Sequence, residues 1–286
     1  LFTLSNVKAN TTPNIDSDYF EQRINSVLGF GQLSYKSYAF LDFSGRNDWS
    51  SLLPAKNNSF FYPAVSGSFV LSEVLGLQNA KVNYVKLRAG WSKVGGTGRL
   101  DEYSTNKTFN LANNNFGTQS SVPNTQWNPN IKPEQTIGTE FGVDVNAYNN
   151  RVRLAATYYS QKSSDLILAL QVEAASGFTS SWENAGEMTN KGIELQLGLT
   201  PIKTDNFSFD IDLNFAKNKN EVTSLGGADS YTLGGQWGME LQAIPGQAYG
   251  SIVGFPYART ESGDIIYENG LPKVNNSQLE ILGNIT

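Results

Sequence analysis

The chain has 286 residues, with 27 glycines and neither cysteine nor histidine. The missing residue types exclude a disulfide scaffold, a cysteine nucleophile, a histidine-based triad and the usual zinc sites, so we expect no metal and no cofactor. A net charge of −5 and a pI of about 4.9 argue against nucleic acid as a partner.

The N-terminal part predicts a polar loop followed by a β-hairpin. Residues 1–19 are rich in Asn, Thr and Asp, as loops are. Strands are predicted over 23–35 and 38–49, with a tight turn at 36–37. The second strand alternates well, but in the first Gln32 and Ser34 fall among Leu28 and Phe30. A bulge, or a strand that rises above a membrane, would explain this irregularity, and the register of the hairpin stays open.

Two more strands are predicted over 60–72 and 82–93. In the first, Phe61 and Val65 alternate with small polar residues. In the second, Lys86 and Arg88 occupy one face while the apolar residues occupy the other. That charged face would be solvated in a soluble sandwich, and it would be a polar lumen in a large barrel.

The clearest pattern is a hairpin over 136–161, which follows a long loop at 94–134. Both halves alternate strictly between apolar and polar residues. Asn149 and Asn150 join them, and asparagine tolerates the positive φ of a two-residue turn. This turn predicts pairs whose numbers sum to 299, among them Val145 with Leu154 and Phe141 with Tyr158. Every apolar residue then falls on one face, so turn and pattern agree on one register.

The C-terminal part predicts two further long strands, at 188–200 and 207–219, and a weaker one at 249–257. Loops are predicted at 163–187 and 220–248, and a small hairpin is predicted around 261–264.

The predicted strands are long, and the lengths of their connections alternate. Several strands keep their pattern for about twelve residues, against five or six in a typical soluble strand, which suits a tilted strand that crosses a bilayer. Short connections at 36–37, 73–81, 149–150 and 201–206 alternate with long ones at 50–59, 94–134, 163–187 and 220–248. Short turns at one end and long loops at the other are typical of outer-membrane barrels, and are not expected over nine strands of a soluble Greek-key sandwich.

Four stretches carry a family resemblance: LDFSGRNDWSSLLPAKNNSFFYPAVSGSFVLSE (41–73), VKLRAGWSKVGGTG (85–98), NPNIKPEQTIGTEFGVDV (128–145) and NAGEMTNKGIELQLGL (184–199). Together they resemble the barrel of TonB-dependent outer-membrane transporters, and more narrowly the SusC/RagA group of Bacteroidetes. The resemblance spans about residues 20 to 260. It implies an all-β, antiparallel transmembrane β-barrel of about twenty-two strands, of which some nine lie in this chain.

The resemblance also implies a function, a location and partners. In this family a barrel surrounds an N-terminal plug, TonB supplies the energy, and a SusD-like lipoprotein closes over the extracellular mouth. We therefore expect outer-membrane active import of oligosaccharides or peptides, contact with the lipid bilayer and lipopolysaccharide, and an assembly of two transporter–lipoprotein pairs. Residues 1–286 are expected to be a portion of the barrel domain, without plug, TonB box or signal peptide.

Candidate ligand-binding residues come from the polar faces and the loops. Arg46, Asp48, Tyr84 and Arg88 are expected on lumen faces near the extracellular end, where they would touch substrate or plug. The remaining candidates are tryptophans, whose rings stack on sugars or pack against a partner: Trp49, Trp127, Trp182 and Trp237.

Each of these candidates has a plainer interpretation. Loop tryptophans pack within loops at least as often as they bind ligands, and Trp49 suits an interfacial girdle, packing or a partner contact. Trp91, Tyr158 and Phe61 suit the girdle of aromatic residues that marks a membrane interface.

Alternation also places many carboxylates on the polar faces. One pair of them could serve a glycosidase, but ion pairing with lumen arginines explains them better, so we expect no enzyme. Two further hypotheses stay open: a passive porin-like barrel, and a soluble β-rich binding or adhesin module. The soluble module requires that a second sheet cover the apolar faces.

Overall fold

The computed structural model describes residues 20–77, 81–114, 117–277 and 279–285. Its main element is a sheet in which eight strands follow one another as neighbours, each antiparallel to the last. These strands are β1 (Ile24–Tyr35), β2 (Ala39–Ser50), β3 (Ser59–Val70), β4 (Val82–Gly96), β8 (Glu134–Ala147), β9 (Val152–Gln171), β10 (Ser180–Lys203) and β11 (Ser208–Leu225). The sheet is not closed, because β1 and β11 form its two edges.

Shorter elements occupy the connections. Their bounds are α1 (Leu71–Leu75), β5 (Asn110–Asn114), β6 (Gly117–Ser121), β7 (Thr125–Gln126), a 3-10 turn (Ala174–Ser176), β12 (Tyr231–Gln236), β13 (Met239–Ala243), β14 (Ser251–Gly254), β15 (Tyr267–Glu268), β16 (Leu271–Pro272) and β17 (Glu280–Asn284). Strand β7 joins the edge of β10 in parallel, while β12, β13, β14 and β17 form a separate four-stranded sheet. No helix in the described residues is long and apolar enough to span a membrane.

The hairpin over 136–161 has the predicted register. Val145 pairs with Leu154 and Phe141 pairs with Tyr158, so the sum of 299 is confirmed. Asn149 and Asn150 have φ of 55° and 63°, the left-handed conformation that a tight hairpin turn of this type requires at both central positions.

The first hairpin is regular, so the bulge suggested for it is wrong. Its register runs without a shift from Ile24 opposite Ser50 to Tyr35 opposite Ala39. The irregular pattern arises because β1 places Leu28 and Phe30 on the same face as Arg46 and Ser44. Backbone pairing does not depend on side-chain polarity, so a strand with apolar residues on its polar face still pairs in register.

Two predicted loops are largely strand. Strand β9 continues to Gln171 and β10 begins at Ser180, so the loop predicted at 163–187 shrinks to 172–179. Strand β11 continues to Leu225, into the loop predicted at 220–248. These extensions lack clear alternation, because strands that rise past a membrane need no apolar face, and the sequence pattern therefore loses them.

The predicted ninth strand at 249–257 does not join the main sheet. Only Ser251–Gly254 is extended, and it pairs with β13 and β17 in the separate sheet. The small hairpin around 261–264 is confirmed by a bridge between Arg259 and Ile265.

Most of the buried apolar residues lie at the long-loop end, in the loops and the adjoining strand ends, while Val70 and Ala147 are buried at the short-turn end. Leu52, Leu53, Leu100, Ile131 and Ile167 form one cluster, the loop core, against which Phe60 and Trp182 pack. A smaller cluster holds Val222, Leu225 and Ala243. The strands themselves bury little, which is the reverse of a soluble sandwich.

Candidate functional site: the polar face of the sheet

The two faces of the main sheet differ in chemistry. Pairing across the strands groups one set of large apolar side chains that are at least a third exposed: Phe43, Phe61, Val65, Leu87, Trp91, Phe141, Leu154, Tyr158, Ile193, Leu195, Leu213 and Phe215. We call this the apolar face. Its side chains are exposed and, within the described residues, no second sheet covers them, so the condition that the soluble-module hypothesis requires is not met. An uncovered apolar surface of this extent is typical of contact with lipid.

The opposite side of the sheet is the polar face. Its upper part, which is the end toward the long loops, holds a hydrogen-bonded cluster around Asp48. Arg46 Nε donates to Asp48 Oδ1 at 2.6 Å, and Tyr62 Oη donates to Asp48 Oδ2 at 3.1 Å. Arg46 Nη2 also donates to Ser26 Oγ at 2.9 Å. Asp48 is buried, whereas the Arg46 side chain is 47% exposed. The cluster therefore fixes a guanidinium that still has donors available to a ligand.

A second cluster surrounds Arg88. Its Nε and Nη2 donate to the two carboxylate oxygens of Asp144 at 3.0 and 3.2 Å, which is a bidentate pair. Nη2 also donates to Thr157 Oγ1 at 3.2 Å, and Glu140 lies 3.7 Å from Nη1. Most donors of Arg88 are thus engaged by the wall itself.

Glycines let the large polar side chains lie flat on the wall. A Cβ at Gly142 would lie 2.7 Å from the Arg88 guanidinium carbon, and one at Gly192 would lie 2.5 Å from the Tyr159 hydroxyl oxygen. Both approaches are closer than real Cβ contacts allow. Glycine at these positions therefore keeps Arg88 and Tyr159 against the strands, and so leaves the space in front of the face open.

The structure separates the four polar candidates into two groups. Arg46 and Asp48 lie together as expected, but Arg88 lies opposite Ser68, and Ser68 lies opposite Phe40. Arg88 is thus level with residue 40 of β2, six residues and about 20 Å of strand from Arg46. Tyr84 lies lower still, opposite Asn146 next to the short turn. The expectation that all four lie near the extracellular end is wrong for Tyr84 and Arg88, because β4 rises toward that end and both precede its middle.

The ion pairing expected of the polar-face carboxylates is confirmed for Arg46, Arg88 and Arg153; besides the two clusters, Arg153 Nη2 lies 3.4 Å from Asp212 Oδ1. Among the described residues Lys86 and Arg151, which were expected to pair as well, form no ion pair. Ser26, Tyr62 and Thr157, which were not among the predicted site residues, are further partners in these networks. Their positions on the polar faces of neighbouring strands were available from the alternation, but which residues meet depends on the register.

The tryptophans divide by environment. Trp49 has its side chain on the apolar face, since it is in register with Asn25 and Ser59 while Asp48 belongs to the polar face. Trp182 packs against the loop core from within β10, and Trp127 stacks edge-on against Phe178. Trp237 is 92% exposed at the tip of the β12–β13 hairpin.

A family model described as "TonB dependent receptor-like, beta-barrel" matches residues 3–276, nearly the whole chain. The chain belongs to the TonB-dependent receptor β-barrel family. It is therefore part of an outer-membrane β-barrel, and its family is one of receptors and transporters, not of enzymes.

Several members of this family are similar to the chain. A TonB-dependent receptor of Formosa agariphila is 34% identical over 226 residues, which cover 77% of this chain and 23% of the relative. The TonB-dependent receptor SusC of Bacteroides thetaiotaomicron is 28% identical and covers 73% of this chain and 22% of its own. The chain thus spans about a quarter of the length of the curated relatives it matches.

A solved structure has the same fold. The RagAB peptide transporter superposes with a TM-score of 0.78 at 22% identity, over 96% of this chain and 32% of the solved chain. The antiparallel meander described above is therefore a segment of a TonB-dependent receptor barrel. In such barrels the apolar face meets lipid and the polar face lines the lumen.

The NPNIKPE run of this barrel segment fastens the long loops to the strands. Asn128 Nδ2 donates to the carbonyl oxygen of Trp182 at 2.8 Å, and Asn57 Nδ2 donates to that of Ile131 at 2.8 Å. Asn184 exchanges two 2.8 Å hydrogen bonds with the backbone of Lys132. The run therefore helps to build the loop core and ties it to β10.

Glu134 ends this run and lies partly buried beside the loop core. Burial raises the pKa of its carboxyl above the ordinary value, and this effect outweighs the hydrogen bond donated by the Ile167 backbone N–H. That hydrogen bond, 2.8 Å to Oε1, favours the ionised form. No group of metal-ligating side chains occurs among the residues that the structure describes.

Proposed function

We propose that the longer protein containing this chain is an outer-membrane importer driven by TonB, and that it works with a SusD-like lipoprotein to take up oligosaccharides or peptides. The observation that carries this proposal is the sheet with a lipid-type face and an ion-paired lumen face, in a chain of the TonB-dependent receptor family. A solved peptide transporter with the same fold supports peptides as cargo, while oligosaccharides are what the resemblance to the SusC/RagA group implies.

Within this proposal residues 1–286 form part of the barrel wall. The plug, the TonB box and the remaining strands belong to the rest of the longer protein. Three arginines of the wall, Arg46, Arg88 and Arg153, pair with wall carboxylates, so cargo moves past a polar surface whose charges are partly neutralised. The half-exposed Arg46 is the best ligand contact among the polar candidates, because Asp48 and Ser26 hold it in place without using all its donors.

Uptake measurements test the importer against a passive porin. Cells that express the full-length protein should accumulate a labelled oligosaccharide or peptide, and should stop when TonB is deleted. Uptake that continues without TonB would favour the porin. A pull-down of the full-length protein that recovers no surface lipoprotein would remove the partner from the proposal.

A variant of Arg46 tests the wall residue. Arg46→Gln should weaken uptake of a charged or hydroxyl-rich cargo several-fold, while Lys86→Gln on the same face should leave it nearly unchanged. Equal uptake by both variants would show that the Arg46 cluster is only structural.

A further inference from the structure

A cavity of about 210 Å³ lies between the upper part of the wall and the separate four-stranded sheet. Met188 lies opposite Val222 and four residues from Gly192, so both line the cavity from the polar face. The cavity is therefore on the lumen side of the wall, toward the long loops, and we call it the mouth pocket. Its walls are mostly aliphatic and come from β9, β10, β11 and β12: Leu166, Leu168, Met188, Val222, Leu225 and Leu233.

Two glycines keep the mouth pocket open. A Cβ at Gly186 would lie 2.8 Å from the Cβ of Leu166, closer than real Cβ atoms approach. A Cβ at Gly98 would overlap Oε1 of Glu134, and Gly98 also has a φ of 58°, which residues with side chains rarely adopt. Glycine at these two positions therefore maintains both the cavity and the room for the carboxyl group beside it.

The carboxyl group of Glu134 lines this pocket without a partner of opposite charge. Its Oε1 accepts the 2.8 Å hydrogen bond from the Ile167 backbone N–H, but across the described residues its Oε2 accepts none and the group forms no ion pair. Two other charged residues line the pocket: Glu187 already pairs with Lys162 at 3.1 Å, and Arg99 is exposed. Burial disfavours the ionised form of Glu134, and a cation that enters the pocket would offset this cost.

The size and the walls of the mouth pocket limit what can enter it. Pockets for drug-sized ligands measure about 300–1,000 Å³, so this smaller one suits a single side chain and not several sugar rings. A sugar would also bring hydroxyl groups against aliphatic walls, where they find few hydrogen-bonding partners. An acidic side chain would meet Glu134 and Glu187. A long cationic side chain fits, because its methylene stem lies along apolar surface while its charged end reaches a carboxylate.

We propose that the mouth pocket binds a lysine or arginine side chain of a peptide cargo, with Glu134 as the counter-ion of its cationic group. Arg99 and Tyr249 are exposed at the margin, so the pocket can be reached from solution. The assignment rests on the proposed function, since it selects peptides from the two cargo classes and adds a preference for basic residues.

Binding of matched peptides to the full-length protein tests this assignment. The protein is purified from outer membranes with any partner it retains, and is titrated by calorimetry with end-blocked alanine pentapeptides whose central residue is lysine, norleucine or glutamate. Norleucine keeps an aliphatic stem and lacks the ammonium group. We expect the lysine peptide to bind about ten-fold more tightly than the norleucine peptide, and the glutamate peptide to bind most weakly. A ten-fold preference lies between the effect of an exposed ion pair and that of a fully desolvated one.

Variants separate the charge of Glu134 from the fold. E134Q should bind the lysine and norleucine peptides equally. E194Q is the matched control, because it removes an exposed carboxylate from the polar face outside the pocket and should keep the ten-fold preference. R99Q removes a cation from the margin, so it should strengthen binding of the lysine peptide by about two-fold.

Several results would overturn the proposal: a ten-fold preference that persists in E134Q, equal binding of the lysine and norleucine peptides by the parent, or no binding of any peptide. Heat-modified mobility on gels shows whether each variant forms a barrel. If E134Q does not, the parent's preference and R99Q decide, and weaker lysine-peptide binding by R99Q overturns the proposal. TonB-dependent uptake without a preference for basic peptides would remove this role of the pocket and leave the importer in place.

Discussion

The assignment of the apolar face to lipid and of the polar face to the lumen leads to the sharpest prediction, which concerns Leu195. This residue lies on the apolar face opposite Ala156 and Phe215, midway between Lys191 and Leu199. An arginine there would lie near the middle of the bilayer, where a charge on the lipid face costs about 2–4 kcal/mol. We therefore expect Leu195→Arg to lower the folding equilibrium into lipid vesicles roughly a hundredfold, since about 1.4 kcal/mol corresponds to a factor of ten.

The neighbouring Gln196 is the matched control, since it lies on the polar face between Ala155 and Asn214. Gln196→Arg should change stability by no more than about 0.5 kcal/mol. The assay is urea titration of the full-length protein in vesicles, followed by heat-modified mobility on gels. A cost at Gln196 equal to or greater than that at Leu195 would refute the assignment of the lipid and lumen faces.

Three other predictions concern the loop core and the wall. Ile131 is fully buried, so Ile131→Ala should destabilise the folded loop core by about 2–5 kcal/mol, which would be measured as faster proteolysis of the long loops. The folded-state pKa of Glu134 is raised, so its contribution to local stability is fully present below the unfolded pKa and is lost as pH rises through the folded value. Glu134→Gln should therefore slow hydrogen exchange of the Ile167 amide at neutral pH and have no effect in acid. Gly192→Ala should push Tyr159 off the wall and destabilise the barrel by about 1–3 kcal/mol, measured by urea titration.

Each of these has its own control. Leu111 is exposed, and Leu111→Ala should leave proteolysis unchanged; equal effects would show that burial is not the cause. For Glu134, an exchange difference that grows as pH falls would contradict the sign of the pKa shift. A Cβ at Gly90 would meet Ser66 Cβ at a permissive 3.8 Å, so Gly90→Ala should be tolerated on the same polar face. If it is as harmful as Gly192→Ala, close approach is not what requires glycine.

Alternation and turn chemistry are local properties, so the sequence determined the strands and one register by itself. The 136–161 hairpin illustrates this, because Asn149–Asn150 and the period-two pattern each fix the same pairing, which the structure confirms. The same alternation placed Arg46, Asp48 and Arg88 on polar faces. It failed where the alternation between apolar and polar residues breaks down toward the long loops. In β9, residues 166–170 are apolar on both faces, and in β10 and β11 the extensions mix the two types. It also failed for the short strands of the separate sheet.

Only the tertiary structure decided which residues meet. The distance between Arg46 and Arg88, the pairing of Tyr62 with Asp48, and the packing of Trp182 all depend on how strands from distant parts of the chain are staggered. A single strand's alternation says which face a side chain takes, but its level in a barrel is set by hydrogen bonding to the neighbouring strands.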